Sequence, residues 1–227
     1  MRKFLLVLAV LVAGVALSAQ PAATAYAVTA DFPYASKYVF RGVPLARDSF
    51  QPSLRLTAGD GYAGLWMNQP FTGNTDPKLD LNGGWNFWLD RGWSLDAGAT
   101  LYYYPQAGAG LPTHTFEGYL GLNGAIGGTN VGVYLFRDFD LAATTAQGTA
   151  SYSVPLNAWA TLSFSGAVGG VLPDHGGRYA YCSFGATVPC KLSDTATFTV
   201  GANWATHNLP GAGKNNLWFT AGLTVTF

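Results

Sequence analysis

The residues of this sequence that could act on a solute or an ion are charged side chains of both signs, spaced so that extended chain turns them to one side. Only 11% of the 227 residues are charged. Those at alternating positions of strand-like segments are Lys37, Arg41, Arg55, Lys78, Asp80, Asp96 and Glu117. Successive side chains of a strand point to opposite faces, so all seven are predicted to share the polar face. Such a group can set the ion preference of a channel, or it can form a salt-bridge network that fills a narrow lumen.

Catalysis has weaker support in the sequence. The histidines are His114, His175 and His207. A serine hydrolase needs a serine, a histidine and an orienting side chain within hydrogen-bond reach, and His114 has no serine on its own face of the neighbouring predicted strands. Metal-ligand spacings, phosphate loops and nucleophile elbows do not occur. We therefore predict no catalytic residues, no metal site and no cofactor, and a protein that is not an enzyme.

Composition indicates a membrane protein of the β class. The 12 basic and 12 acidic residues cancel, so the chain has no basic surface for nucleic acid. Its charged fraction is about half that of an ordinary soluble domain. Beyond residue 20, however, no apolar run approaches the roughly 20 residues that a membrane-spanning helix needs. A closed β-barrel is the other structure that satisfies every backbone polar group within lipid.

The amino terminus has the layout of a secretory signal peptide. Arg2 and Lys3 precede an apolar run at residues 4–17, which small residues follow. An uncleaved membrane anchor would need a longer run. Cleavage after Ser18 and cleavage after Ala27 both fit the pattern of small residues. We expect residues 1–27 to be a cleaved leader and residues 28–227 to form the barrel.

Alternation of apolar and polar residues divides the rest of the chain into strands. In the last segment, Leu217, Phe219 and Leu223 fall on one face, and Trp218 and Thr220 fall on the other. Turn signals then give twelve predicted strands at 28–40, 49–58, 62–69, 78–89, 93–104, 114–125, 130–138, 147–154, 158–168, 178–188, 195–205 and 216–227.

The predicted connections alternate in length. Along the chain, every second connection is a short turn and the connections between them are longer. The longer segments lie at 41–48, 70–77, 105–113, 139–146, 169–177 and 206–215. Outer-membrane barrels have an even number of strands, short periplasmic turns, longer external loops and periplasmic termini. We therefore predict an all-β, antiparallel, up-and-down transmembrane barrel, integral to the lipid of a Gram-negative outer membrane, with both mature termini in the periplasm.

Aromatic residues, 15% of the chain, have two interpretations. Many lie near the ends of predicted strands, where outer-membrane barrels carry interfacial girdles. Others face the predicted lumen and could form a stacking track for sugars, namely Trp66, Tyr102, Tyr119, Trp159 and Trp218. At the carboxy terminus, Phe227 ends an alternating strand and resembles the signal that the barrel-assembly machinery reads during biogenesis.

The only cysteines, Cys182 and Cys190, are expected to be free thiols. Both lie on one predicted strand, where eight residues span about 26 Å. A disulfide tolerates roughly 7 Å between Cα atoms.

One segment resembles a known family. Ser36-Lys37-Tyr38-Val39-Phe40-Arg41-Gly42 is similar to the S-x-Y-x-F-R-G signature of the TorF family of small proteobacterial outer-membrane porins. Further similar stretches follow at 51–54, 61–68, 78–80, 96–98, 102–105 and 117–119. The likeness covers residues 36–120, and it departs from the family at Lys78, where an acidic residue is expected. The resemblance implies a porin.

The predicted function is passive diffusion of small polar solutes or ions through a porin-like channel. The predicted pore-lining residues are Lys37, Arg41, Arg55, Trp66, Lys78, Asp80, Asp96, Tyr102, Glu117 and Trp218. Twelve strands lie between the filled eight-stranded and the open sixteen-stranded barrels. The alternative is therefore a non-conducting barrel with a structural role or with loops that bind a partner.

Overall fold

The computed structural model describes residues 26–72, 76–108, 110–211 and 213–227. These residues form thirteen strands and one short 3₁₀ turn, Asp90–Gly92. The strands are β1 (Tyr26–Phe40), β2 (Val43–Phe50), β3 (Ser53–Ala58), β4 (Gly61–Pro70), β5 (Lys78–Trp88), β6 (Ser94–Tyr103), β7 (His114–Ile126), β8 (Thr129–Asp138), β9 (Ala143–Pro155), β10 (Thr161–Pro173), β11 (Tyr179–Lys191), β12 (Ala196–His207) and β13 (Asn215–Thr226). None of the described helical segments is long and apolar enough to cross a bilayer.

The thirteen strands close into an antiparallel barrel with twelve positions around its wall, and each position is called a stave. Neighbours along the chain pair with each other, and β13 pairs with β1 from Thr29↔Thr226 to Ala35↔Thr220. Strands β2 and β3 are one stave, because both pair with β1 and with β4. The interruption falls at Gln51-Pro52, where proline has no N–H to give to the ladder. The prediction of an antiparallel transmembrane barrel of twelve staves is confirmed.

The predicted alternation of apolar and polar residues places apolar side chains on the outer face of the barrel and polar side chains on the inner face. Apolar side chains on the outer face are widely exposed, as at Val133 (66%), Val168 (62%) and Phe219 (57%). Since soluble proteins rarely expose so large an apolar surface, this band is the one that contacts hydrocarbon. Inward side chains on the same strands are polar and more buried, as at Asn216, next to the exposed Leu217.

The two ends of the barrel differ in their connections, although less than predicted. The end that carries connections 71–77, 104–113, 174–178 and 208–214 is called the long-loop rim, and the other end is called the short-turn rim. Several predicted loops are shorter because the ladders continue into them. Gly169 and Gly170, for example, pair with Gln147 and Ala146. The prediction of an external loop at 41–48 is wrong, since 43–50 is strand β2 and only Arg41 and Gly42 form the turn.

Side-chain contacts brace the long-loop rim. Arg137 on β8 forms a bidentate pair with Asp174 in connection 174–178, at 2.8 and 2.6 Å. These hydrogen bonds hold the pKa of Asp174 below its usual value. His207 is buried in the same rim. One ring nitrogen lies 3.0 Å from the Gly213 carbonyl oxygen, and the other accepts the Leu209 N–H.

The two described ends of the chain meet at the short-turn rim. The Phe227 N–H donates to the Val28 carbonyl at 2.8 Å, and the reverse bond measures 3.3 Å. Most of the predicted leader, 1–27, lies outside the described residues, and its last two residues begin β1. Cys182 and Cys190 lie on β11 and are free, which confirms the prediction for the thiols.

Candidate functional site

A two-stranded hairpin folds away from the wall and into the lumen. The pairing of β1 with β13 ends at Ala35, and the pairing of β2 with β4 begins at Ser49. Between these points, residues 36–48 pair with each other, and this segment is called the inner hairpin. At its base, the Ser36 hydroxyl accepts the Phe219 N–H at 2.9 Å, so the side chain partly replaces the ladder that β1 has left.

The tip of the inner hairpin is a two-residue turn that reaches distant staves. Arg41 and Gly42 both have positive φ, 47° and 81°, as a type I′ turn requires. Arg41 contacts Glu117 on β7. Gly42 lies so close to β11 and β12 that a Cβ on it would fall 2.6 Å from the Tyr181 Cβ and 3.3 Å from the His207 Cβ. The inner hairpin therefore crosses the lumen.

Asp48 holds the bend at the base of the hairpin. Its φ is 42°, a left-handed value that few residues other than glycine adopt. Its carboxylate accepts the Tyr34 hydroxyl at 2.6 Å and the Thr72 hydroxyl at 3.3 Å, and its carbonyl accepts the Phe71 N–H. These contacts fix the point at which β2 leaves the wall.

A buried ion pair anchors the tip. Arg41 Nη2 lies 2.8 Å from both carboxylate oxygens of Glu117, and the Tyr102 hydroxyl donates to Oε1 at 2.8 Å. Glu117 is only 1% exposed. The left-handed backbone of Arg41 costs about 1–2 kcal/mol. The charge-assisted bonds and the contacts of the guanidinium with Phe40 and Phe136 offset that strain.

Lys78 fills the space between the inner hairpin and the wall formed by β4–β7. Its ammonium lies 2.8 Å from the Asp80 carboxylate, and the residue is 4% exposed. Five aromatic rings surround the ammonium at 4.1–5.9 Å from their centroids, those of Tyr38, Phe40, Trp66, Tyr102 and Tyr104. A buried cation needs such paired and polarisable surroundings. This half of the lumen is packed at the level of the hairpin.

A second polar cluster lies nearer the short-turn rim. The Tyr62 hydroxyl donates to Asp96 at 2.6 Å and also shares a hydrogen bond with Tyr119. Tyr134 donates to the other carboxylate oxygen of Asp96 at 3.0 Å. The Arg55 guanidinium lies 4.3 Å from the Tyr62 ring centroid. Arg55 itself is exposed, and it forms no salt bridge within the described part of the chain.

The opposite wall of the lumen, formed by β9–β13, has different chemistry. Across these five strands the charged residues amount to one, Lys191 at the end of β11. The inward positions carry hydroxyls, amides, small residues and one indole, including Gln147, Ser165, Ala167, Ser183, Gly185, Asn203 and Trp218.

Open space follows this uncharged wall. A cavity of about 170 Å³ separates it from the hairpin residues Val39, Arg41 and Gly42. A wider cavity of about 620 Å³ extends towards the short-turn rim, where residues of β5–β8 line it together with residues of β9–β11. The two cavities share Ser165, Ala167 and Ser183 as lining residues. At its own level, the inner hairpin thus divides the lumen into a packed, charged side and an open, uncharged side.

Comparison with protein families places the chain. Residues 19–166 match the family described as bacterial protein of unknown function (Gcw_chp). The chain belongs to this family. The match includes the inner hairpin and the residues that anchor it, Lys78 and Glu117 among them, whereas β11–β13 lie beyond it. A search of curated protein sequences finds no match.

Solved structures share the fold at low sequence identity. The KdgM porin aligns with a TM-score of 0.60 at 10% identity, over 88% of this chain and 99% of that one. The NanC porin gives 0.58 at 12% identity over 87% and 98%. An outer-membrane channel from Pseudomonas putida F1 gives 0.56 at 12% identity over 94% and 98%. The fold of this Gcw_chp protein is therefore that of an outer-membrane porin-like barrel.

The predicted site residues fall into separate places. Arg41, Trp66, Lys78, Asp80, Tyr102 and Glu117 converge around the inner hairpin, Arg55 and Asp96 belong to the cluster nearer the short-turn rim, and Trp218 lies on the uncharged wall. Lys37 lies on the hairpin in register with Arg47, with no salt bridge among the described residues. Their role in lining a pore stays a prediction.

Sequence reasoning missed the hairpin residues Tyr38, Phe40 and Gly42. The available signal in the sequence is Arg-Gly between two segments, a turn signal that also fits the start of a loop.

The sugar-track prediction loses one member, since Trp159 lies in the β9–β10 turn and is 59% exposed. Within the residues that the structure describes, no three histidine, cysteine, aspartate or glutamate side chains gather closely enough to hold a metal ion.

Proposed function

We propose that this protein is a porin-like channel of the outer membrane, through which small polar solutes diffuse passively between the inner hairpin and the β9–β13 wall. The observation that carries the proposal is the open space that begins between the hairpin and that wall and continues towards the short-turn rim, with lining residues shared between the two cavities. The porin-like fold supports it. The hairpin narrows the passage at its tip and limits the size of the solute.

Burial indicates which side of the hairpin the solute passes. Glu117, Lys78 and Asn68 are each less than 5% exposed, so the charged side is filled by protein. The ion pairs Arg41–Glu117 and Lys78–Asp80 also cancel their own fields. Most of the predicted charged lining would therefore act by holding the hairpin in place, and the uncharged wall would line the path.

Single-channel recording of the purified protein in planar bilayers tests the channel. We expect discrete conductance steps in KCl. Arg55 is exposed and lacks a salt bridge, so Arg55→Ala should shift the reversal potential in a salt gradient towards cation preference while the protein remains folded. Lys214→Ala, in a connection at the long-loop rim, is a control that also removes one positive charge.

The rival function is a non-conducting barrel with a structural or partner-binding role. The observation that favours it is the crossing of the lumen by the inner hairpin, from β1 and β2 to Glu117 on one side and Tyr181 on the other. Absence of steps at high concentrations of folded protein would establish this rival and overturn the channel.

We further propose the orientation and the finer relationship of the protein. The long-loop rim would face the outside and both mature termini the periplasm, after removal of the leader at 1–27. Within its family, the chain would belong with the TorF-type porins. In support, residues 36–42, which carry that resemblance, form one strand and the tip of the inner hairpin.

Phe227 is proposed as the assembly signal. It lies at the rim, 75% exposed, and its backbone closes the barrel against Val28. Deleting Phe227 should greatly reduce the amount of heat-modifiable barrel in outer-membrane fractions. Phe219→Ala, which removes an outward aromatic from the middle of the same strand, is the matched control and should assemble. Normal amounts of barrel without Phe227 would contradict the assignment.

A further inference from the structure

The narrower cavity has lining residues whose hydrogen-bonding groups point to a ligand of one chemical class. The hydroxyls of Ser165 and Ser183 form no side-chain hydrogen bond with the described residues. The Asn203 amide donates only a long 3.5 Å bond to Thr220, and Gln147 uses its oxygen to accept the Tyr181 hydroxyl. These groups leave several donors and acceptors for a solute.

Gly185 keeps this cavity open. A Cβ at that position would lie 2.7 Å from the Asn203 amide oxygen and 2.9 Å from the Ser165 hydroxyl. Any side chain there would therefore fill the space between the polar groups. Because Gly185 has no side chain, its backbone, the Ser165 hydroxyl and the Asn203 amide line one concave surface.

The lining of the cavity also carries no unpaired charge. Arg41 is the one charged residue among the lining residues, and its guanidinium is bonded to both oxygens of Glu117. An acidic solute would need a free cation, and a cationic solute would need a free carboxylate. Val39, Ala167, Ala205 and the Trp218 indole add apolar surface beside the hydroxyls and amides.

We propose that this cavity is a binding subsite for a neutral polyhydroxylated solute of about monosaccharide size. Such a molecule has hydroxyls for Ser165, Ser183, Gln147 and Asn203, and C–H faces for the indole of Trp218. The inner hairpin would form one side of the subsite and the β9–β13 wall the other. The inference rests on the proposed channel function and names the solute class that the channel would favour.

The test uses glucose as the neutral probe and sodium galacturonate as an acidic one. Binding to the intact protein in detergent is measured by saturation-transfer NMR, which needs no conductance, and block of the KCl current by glucose is measured in bilayers. Glucose should bind, and galacturonate should bind several-fold more weakly. Trp218→Ala should weaken glucose binding roughly fivefold to tenfold, the size of one aromatic contact.

Matched variants keep the test falsifiable. Trp204→Ala removes an indole from the outward face of β12 and should leave glucose binding unchanged. Gly185→Val fills the cavity and should abolish binding, and Trp218→Ala carries the test if that variant does not fold. Equal binding of the two sugars, no binding of glucose, or equal effects of Trp218→Ala and Trp204→Ala would each overturn the subsite. Conductance without glucose binding refutes the subsite alone, whereas glucose binding without conductance refutes the channel alone.

Discussion

Replacing Glu117 with alanine is expected to raise single-channel conductance several-fold, because the tip of the inner hairpin loses its anchor on β7. Arg41 holds the tip across the lumen through two 2.8 Å contacts with this carboxylate. Without them, the contacts of the guanidinium with Phe40 and Phe136 are left to offset the strain of the left-handed Arg41 backbone. The hairpin is paired only within itself at this level, so it can leave the lumen without breaking a wall ladder.

The same variant should lose stability. Removing one partner of a buried ion pair typically costs about 3–5 kcal/mol, since the other charge stays buried without compensation. Arg41→Ala combined with Glu117→Ala should recover part of that loss while conductance stays high. Glu117→Gln keeps an oxygen acceptor at the site and should give an intermediate conductance. Conductance is recorded in planar bilayers and unfolding in urea. A Glu117→Ala channel with unaltered conductance would refute the hairpin as the constriction.

The wall of the barrel was predictable because its information is local. Period two in residue polarity places Leu217 and Phe219 outward and Trp218 inward, whatever strand lies alongside. Counting alternating segments between turn signals therefore gave twelve staves. It also gave the common face of Lys78 and Asp80, two residues apart on one strand, which proves to be a salt bridge.

The inner hairpin was not predictable in the same way. The sequence pattern predicts residues 36–40 as the end of a wall strand and 41–48 as a loop, and neither prediction reveals that the segment folds inward. Its course depends on contacts with residues far along the chain. Glu117 is 76 residues from Arg41, and Gly42 packs on Tyr181. The left-handed backbone at Asp48 and a register shift between Tyr38 and Val39 also turn the hairpin away from the wall.

This explains why the candidate site was predicted as a set of side chains but not as an arrangement. Alternation indicates which residues face inward, and ten of them were named. It does not distinguish a charge that meets water from one packed beneath a hairpin. The sequence predicts Arg55 and Lys78 alike as charged residues of the inner face. In the structure Arg55 is exposed, whereas Lys78 is buried, only 4% exposed, among five aromatic rings. The difference arises from nonlocal packing.

Lys78→Ala is accordingly expected to cause a loss of stability as large as that of Glu117→Ala. It removes the cation from Asp80, whose buried Oδ1 has no hydrogen-bond partner among the described residues. It also leaves a hole between the rings of Phe40, Trp66 and Tyr102. The loss should be about 3–5 kcal/mol, measured as the free energy of unfolding in urea. Arg55→Ala, at an exposed position, should change stability little.

Two further variants separate packing from conduction. Lys78→Met keeps most of the volume among the rings, and Lys78→Met with Asp80→Asn also removes the unpaired carboxylate, so stability should return towards that of the original protein. Because Lys78 lies on the packed side of the inner hairpin, the folded double variant should conduct with unchanged ion selectivity. A clear shift in its selectivity would mean that ions pass along the charged side, and the path along β9–β13 would then be wrong.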